Sequence, residues 1–195
     1  MTLVFATHNT NKFTEVKRLM PEHIQLVTLK AIGCNDEIPE TGKTLTENAI
    51  IKSTFVSKTY GLPCFSDDTG LMVDALDDEP GVYSARYAGP EKRADANMKK
   101  LLQNLEGHTN RAARFETVIA LNLNSEDHIF KGVVHGEIIA EPRGEKGFGY
   151  DPIFVPEGYA HTFAELSMAE KGKISHRGRA ISALVDFLRF LPSGN

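Results

Sequence analysis

The chain is 195 residues long, enough for one sizeable core or for two lobes sharing one sheet. Its 41% hydrophobic and 25% charged residues are ordinary for a globular protein, and a net charge of −4 argues against a broad nucleic-acid-binding surface. Two cysteines, Cys34 and Cys64, with no Cys-x-x-Cys spacing, exclude a disulfide framework and a zinc site and fit reduced cytoplasmic thiols. No apolar run approaches the ~20 residues of a membrane span, and the strand-like Met1–Thr7 is too short for a signal-peptide core.

Leu3-Val4-Phe5-Ala6 predicts a buried strand, and Lys12 to Met20 a helix with Phe13, Val16, Leu19 and Met20 on one face. Ile24 to Leu29 reads as a second strand. Thr44 and Glu47 have capping-box spacing, so a helix is expected from about residue 45 to Tyr60. A strand is expected to stop at Phe65, with Ser66-Asp67-Asp68-Thr69-Gly70 as a turn and Leu71-Met72-Val73 opening another strand. Glu91 to Leu105 is helical in pattern. Arg114–Leu123 and His128–Ile139 read as two long strands joined at Asn124-Ser125-Glu126-Asp127, and a last helix follows a Ser175 cap. Strands and helices interleave, with one antiparallel hairpin, which predicts a mixed-sheet α/β fold.

Four segments can carry chemistry. Thr7-His8-Asn9-Thr10-Asn11-Lys12 lies between the first strand and first helix, where free backbone N–H groups and a lysine suit an anion. It is not a Walker A loop, for it has no glycine. Asp67 and Asp68 are adjacent carboxylates that need water, a shared proton or a cation, and Mg²⁺ brings phosphate with it. Glu37 and Glu40 lie in a loop marked by Pro39 and Gly42, and a loop carboxylate is a possible third partner. Gly144-Glu145-Lys146-Gly147-Phe148-Gly149-Tyr150-Asp151-Pro152 offers an aromatic ring between glycines, suited to stacking on a base. In Glu170-Lys171-Gly172-Lys173-Ile174-Ser175-His176-Arg177-Gly178-Arg179, the Ser175 cap places His176 and Arg177 in the first helical turn, where positive side chains are disfavoured and a ligand is more plausible. Each segment also has an ordinary reading: a capped turn, a surface acidic loop, a glycine turn, a solvated basic patch. Ser84-Ala85-Arg86-Tyr87 is open between dimer contact, site edge and plain structure. Together the four hold the parts that a nucleoside triphosphate requires.

In these stretches the chain resembles the inosine triphosphate pyrophosphatases, also called dITP/XTP pyrophosphatases. The matching residues are Thr7-x-Asn9-x-x-Lys12, Glu40-Thr41-Gly42 with Glu47-Asn48-Ala49, Asp67-Asp68-Thr69-Gly70-Leu71, Pro80 to Tyr87, Gly147 to Pro152 and Ser175-His176-Arg177, in family order along nearly the whole chain. His8 stands where a small residue is common, and Thr69 where serine is. The resemblance implies an elongated mixed sheet flanked by helices, one domain over residues 1–195 with two lobes and a central cleft, and a homodimer. It implies Mg²⁺-dependent hydrolysis of ITP, dITP and XTP to the monophosphate and pyrophosphate. Carried over by position, Glu40, Asp67 and Asp68 hold the metal and Asp68 is the base. Thr7, His8, Asn9, Thr10, Asn11, Lys12, Thr69, Phe148, Gly149, Tyr150, Asp151, Lys171, His176 and Arg177 bind substrate. The alternative is a related pyrophosphatase for modified pyrimidine or methylated nucleotides.

Overall fold

A computed structural model of the chain describes residues 1–190. The chain opens with β1 (Thr2–Phe5), α1 (Thr10–Leu19), β2 (Gln25–Thr28) and α2 (Leu45–Tyr60). Next come β3 (Cys64–Val73), the two-residue β4 (Pro80–Gly81), α3 (Ala94–Asn104), β5 (Ala112–Leu123) and β6 (Glu126–Ile138). It ends with β7 (Phe154–Pro156), α4 (Met168–Ile174) and α5 (His176–Arg189). The hydrogen-bonding order is β2-β1-β3-β5-β6-β7, with β4 on β3. β1 pairs in parallel with β2 and β3, while β3–β4 and β6–β7 are antiparallel. This is the mixed α/β sheet expected from the interleaved pattern. No helix among the described residues is long and apolar enough to cross a membrane.

Most elements fall where periodicity and caps put them. α2 starts at the capping box of Thr44 and Glu47 and stops at the left-handed Gly61. The hairpin turn is tighter than expected: Asn124 and Ser125 alone carry positive φ (52° and 66°), and Glu126 already belongs to β6. α3 is shorter at its start than the pattern from Glu91 suggested. Two corrections bear on function. The expected turn at Ser66–Gly70 does not exist, because β3 runs unbroken from Cys64 to Val73. The basic stretch before Ser175 is also helical, as α4, opened by a capping box of Ser167 and Glu170.

The chain divides into two compact units. The first holds Met1–Asp68, Thr117–Gly132 and the segment from Arg177 on; the second holds Thr69–Glu116 and Val133–His176. In the first unit, alternate residues of the strands serve different clusters. Leu3, Phe5 and Phe65 pack with Val16 of α1 and with Ala180, Ile181, Leu184 and Leu188 of α5. Val4, Ala6 and Cys64 pack with Val56 of α2. Phe5 and Phe65 stack at 4.6 Å between centroids. The period of two thus fixes which helix each β3 side chain faces. The second unit has its own core of Leu71, Val73, Leu101, Phe115, Ile138, Phe154 and Phe163 among others.

Candidate active site

The alternation that sends Phe65 toward α1 and α5, and Cys64 toward α2, continues into the carboxylates. Asp67 faces the α1 and α5 side. Its Oδ1 accepts from Lys12 Nζ at 2.9 Å and its Oδ2 from Arg177 Nε at 3.1 Å. Arg177 Nη1 in turn donates to Glu15 Oε2 at 2.6 Å. Glu15, Arg177, Asp67 and Lys12 thus form a chain of alternating charge, with Arg177 only 2% exposed and Asp67 1%. Burial alone would push Asp67 up, but Lys12 and Arg177 hold it well below the usual carboxylate range. Arg177 is kept charged against its own burial by Asp67 and Glu15. Burial lowers the Lys12 ammonium, with Asp67 opposing.

Asp68 faces the other way. Its Oδ2 accepts from Asn48 Nδ2 at 3.1 Å, and its Oδ1 lies 3.8 Å from Lys52 Nζ. Asn48 and Lys52 are one turn apart on α2 and share its sheet-facing side. Lys52 Nζ donates to Glu40 Oε1 at 2.6 Å and to the Asp67 carbonyl at 2.7 Å. Asp68 and Glu40 hold the lysine charged despite its burial. The loop bearing Glu40 reaches this place because Gly42 lies hard against α2. A Cβ there would sit 2.6 Å from Glu47 Cβ and 2.8 Å from Asn48 Oδ1, the oxygen that accepts from Gly42 N. Asp68 is raised above the ordinary carboxylate value, first by burial and then by Glu40, while Lys52 and Lys12 pull it down. A raised carboxylate within reach of solvent is suited to accepting a proton.

Among the described residues no group of three or more His, Cys, Asp or Glu is arranged to hold a metal ion. Asp67, expected with the metal, has both carboxylate oxygens on cations and lies on the opposite face of β3 from Asp68. Glu40 and Asp68 are the remaining carboxylates. They fit Mg²⁺ of the kind that binds through one or two carboxylates together with substrate phosphates.

The Thr7–Lys12 segment is a capped turn. The Asn9 side chain accepts from the backbone N–H of Asn11 and Lys12, and Thr7 Oγ1 accepts from Asn9 N. Three of the N–H groups in the segment expected to hold an anion are therefore occupied. His8 is exposed, its Nε2 3.0 Å from the Asp36 carbonyl, and Thr10 opens α1.

In the second unit, Asp151 (3% exposed) organises the aromatic loop. Its Oδ2 accepts from Phe148 N at 2.7 Å and from Lys171 Nζ at 2.6 Å. The Lys171 ammonium lies 5.0 Å from the Phe148 ring centroid and 5.6 Å from that of Phe163. Phe148 and Gly149 are half-buried, while Tyr150 is in the core. His176 is buried, stacked on Phe115 at 4.5 Å. Thr69, half-buried, begins this unit's share of β3. An open cavity of about 640 Å³ in the same unit, lined by Asp74, Arg111, His135, Glu137, Glu157 and Tyr159 among others, contains none of the expected residues.

Sequence reasoning missed Lys52 and Glu15, and it gave Asn48, which stands in the matched Glu47-Asn48-Ala49, no role. The signals were present: Asn48 and Lys52 repeat at four residues on a helix whose start was legible, and Glu15 follows Lys12 by three.

A family model described as the Ham1 family matches residues 3–187. A protein of Christiangramia forsetii named dITP/XTP pyrophosphatase is 56% identical over 188 residues, 96% of this chain and 99% of that one. Another of that name from Flavobacterium psychrophilum is 51% identical, covering 97% of this chain and 100% of its own. The solved structure of the Staphylococcus aureus Ham1 protein matches with a TM-score of 0.88 at 42% identity, over 97% of this chain and 98% of that one.

Proposed function

The chain belongs to the Ham1 family, and from that premise we propose that it hydrolyses non-standard purine nucleoside triphosphates (ITP, dITP, XTP) to the monophosphate and pyrophosphate. The observation that carries this reading is the split pair on β3: Asp67 with both oxygens on Lys12 and Arg177 on one face, and on the other Asp68 beside Asn48, Lys52 and Glu40.

Water attacks the α-phosphorus. Its proton passes to the Asp68 carboxylate, its oxygen bonds to phosphorus, and the bond from phosphorus to the pyrophosphate oxygen breaks. Pyrophosphate leaves with the electron pair. Charge neutralisation and positioning do most of the work in such a transfer. Lys12 supplies positive charge toward the phosphates, and Lys52 sets the position of Glu40 and Asp68. Glu40 and Asp68 would hold Mg²⁺, which when bound offsets the negative charge of the phosphate oxygens. Asp67 holds Lys12 and Arg177 in place and is not a metal ligand in this proposal.

Phe148 offers a ring for the base. Lys171 beside it is donor-only, so it suits the C6 oxygen of hypoxanthine or xanthine and opposes the amino group of adenine. The proposal includes a cytoplasmic homodimer, checked by light scattering of the purified protein. The deciding experiment is pyrophosphate release from ITP, dITP, XTP, GTP, ATP and dUTP, with and without Mg²⁺. Turnover confined to the first three and dependent on Mg²⁺ is expected. Preference for dUTP would support the pyrimidine alternative, and comparable rates on ATP and ITP would overturn the account of base selection.

A further inference from the structure

The segment Ser84–Tyr87 is absorbed by neither cluster described above, yet Ser84 is 7% exposed and fully engaged. β4 ends at Gly81 after two residues. Leu71 of β3, fully buried, stands opposite Gly81 in the ladder, and its N–H meets the Ser84 hydroxyl at 2.8 Å. The same hydroxyl donates to Gly81 O at 2.6 Å. That carbonyl lies so close to β3 that a Cβ on Gly70 would come within 2.7 Å of it. The Ser84 carbonyl accepts from Tyr150 Oη at 2.9 Å, a buried contact between residues 66 apart in sequence. One serine therefore joins β3, directly after Thr69 and Gly70, to the loop that carries Phe148 and Asp151.

We propose that Ser84 is a positioning residue that fixes the Phe148 loop against the Thr69 end of β3, and so sets affinity for the base end of the substrate. The inference rests on the nucleotide reading above. The Ser84 hydroxyl bridges the Leu71 N–H and the carbonyl of Gly81, its partner in β4, and without it that N–H loses its partner in the interior. The Tyr150 bond transmits that placement to the aromatic loop. The phosphate-facing groups Lys12, Lys52 and Asp68 lie in the other unit and make none of these bonds.

The test measures KM and kcat for ITP, and the inhibition constant of inorganic tripolyphosphate, which has no base. The proteins are the wild type, Ser84→Ala, Ser84→Thr, Tyr150→Phe and the Ser84→Ala/Tyr150→Phe double variant. Each of Ser84→Ala and Tyr150→Phe is expected to raise KM for ITP about 10-fold, the scale of one buried hydrogen bond. The double variant is no worse than the weaker single variant, because both cut one connection. Ser84→Thr keeps the hydroxyl and restores KM to near the wild type. Tripolyphosphate inhibition stays unchanged throughout. Should Ser84→Ala not fold, Tyr150→Phe alone must still raise KM without moving tripolyphosphate inhibition. Wild-type KM in both single variants, additive losses, or a parallel shift in tripolyphosphate inhibition would each overturn the proposal while leaving the ITP activity standing. A wild type that releases no pyrophosphate from any of the purine triphosphates overturns the functional reading itself, and this inference with it.

Discussion

Asp67 and Asp68 are the same residue type, adjacent in one strand, yet they live in opposite electrostatic environments. Asp67 is clamped between two cations and 1% exposed; Asp68 keeps 8% exposure, accepts from the Asn48 amide at 3.1 Å and lies 3.8 Å from a lysine that it shares with Glu40. Burial acts on both in the same direction. The difference lies in how closely the compensating charges approach, and it drives one pKa down and the other up. A carboxylate saturated by cations is a structural anion. One whose burial outweighs the pull of its neighbouring cations gains proton affinity, and this is the property a base requires. The pleat of an uninterrupted strand makes the assignment, because neighbours on it must face different helices.

The sharpest test of that contrast exchanges each carboxylate for its amide. Asp68→Asn is expected to lower kcat for ITP about 10³–10⁴-fold, the loss of a general base, with the melting temperature little changed. Asp67→Asn is expected to do its damage in stability. It leaves the buried Arg177 and Lys12 short of a counter-charge, at about 3–5 kcal/mol in chemical denaturation. If instead Asp67→Asn folds as well as the wild type and fails only in turnover, the roles given to the two residues are reversed. Lys52→Met comes next: removing the cation between Glu40 and Asp68 is expected to lower kcat about 100-fold. A variant of Lys52 with wild-type kcat would mean that Glu40 and Asp68 keep their positions without it.

The sequence carried most of the fold. Apolar periodicity placed α1 and α5, the Thr44/Glu47 box placed α2, and β5 and β6 stood out as long strands. It misled at the most informative place. Asp, Asp, Thr and Gly are turn residues by local preference. What holds them in a strand is tertiary: Lys12 lies 55 residues before Asp67 and Arg177 lies 110 after it, and local propensity contains neither. The same reason explains why Arg177 read as a solvated charge. Asp67 and Glu15, both far away in sequence, make its burial tolerable. α4 was legible in principle from Ser167-x-x-Glu170, but as sequence the stretch reads only as a basic segment ahead of the Ser175 cap.

The smallest prediction tests whether burial, and not pairing as such, gives Asp67 its weight. Arg114 grips Asp78 with both nitrogens, at 2.8 and 2.9 Å, a tighter geometry than Arg177 offers Asp67. Yet the Asp78 side chain is 57% exposed, so water and salt screen the pair. Asp78→Asn is therefore expected to cost only about 0.2–1 kcal/mol at neutral pH, several-fold less than Asp67→Asn. The hydrogen bond with Arg114 depresses the Asp78 pKa in the folded protein. A depressed carboxylate stabilises the fold above its unfolded value, about 4, and that contribution fades as pH falls through the folded value. The stability gap between wild type and Asp78→Asn should thus be flat from pH 7 to about 5 and close below about 4. A gap as large as that for Asp67→Asn would show that two close hydrogen bonds from arginine suffice for a strong pair without removal from water.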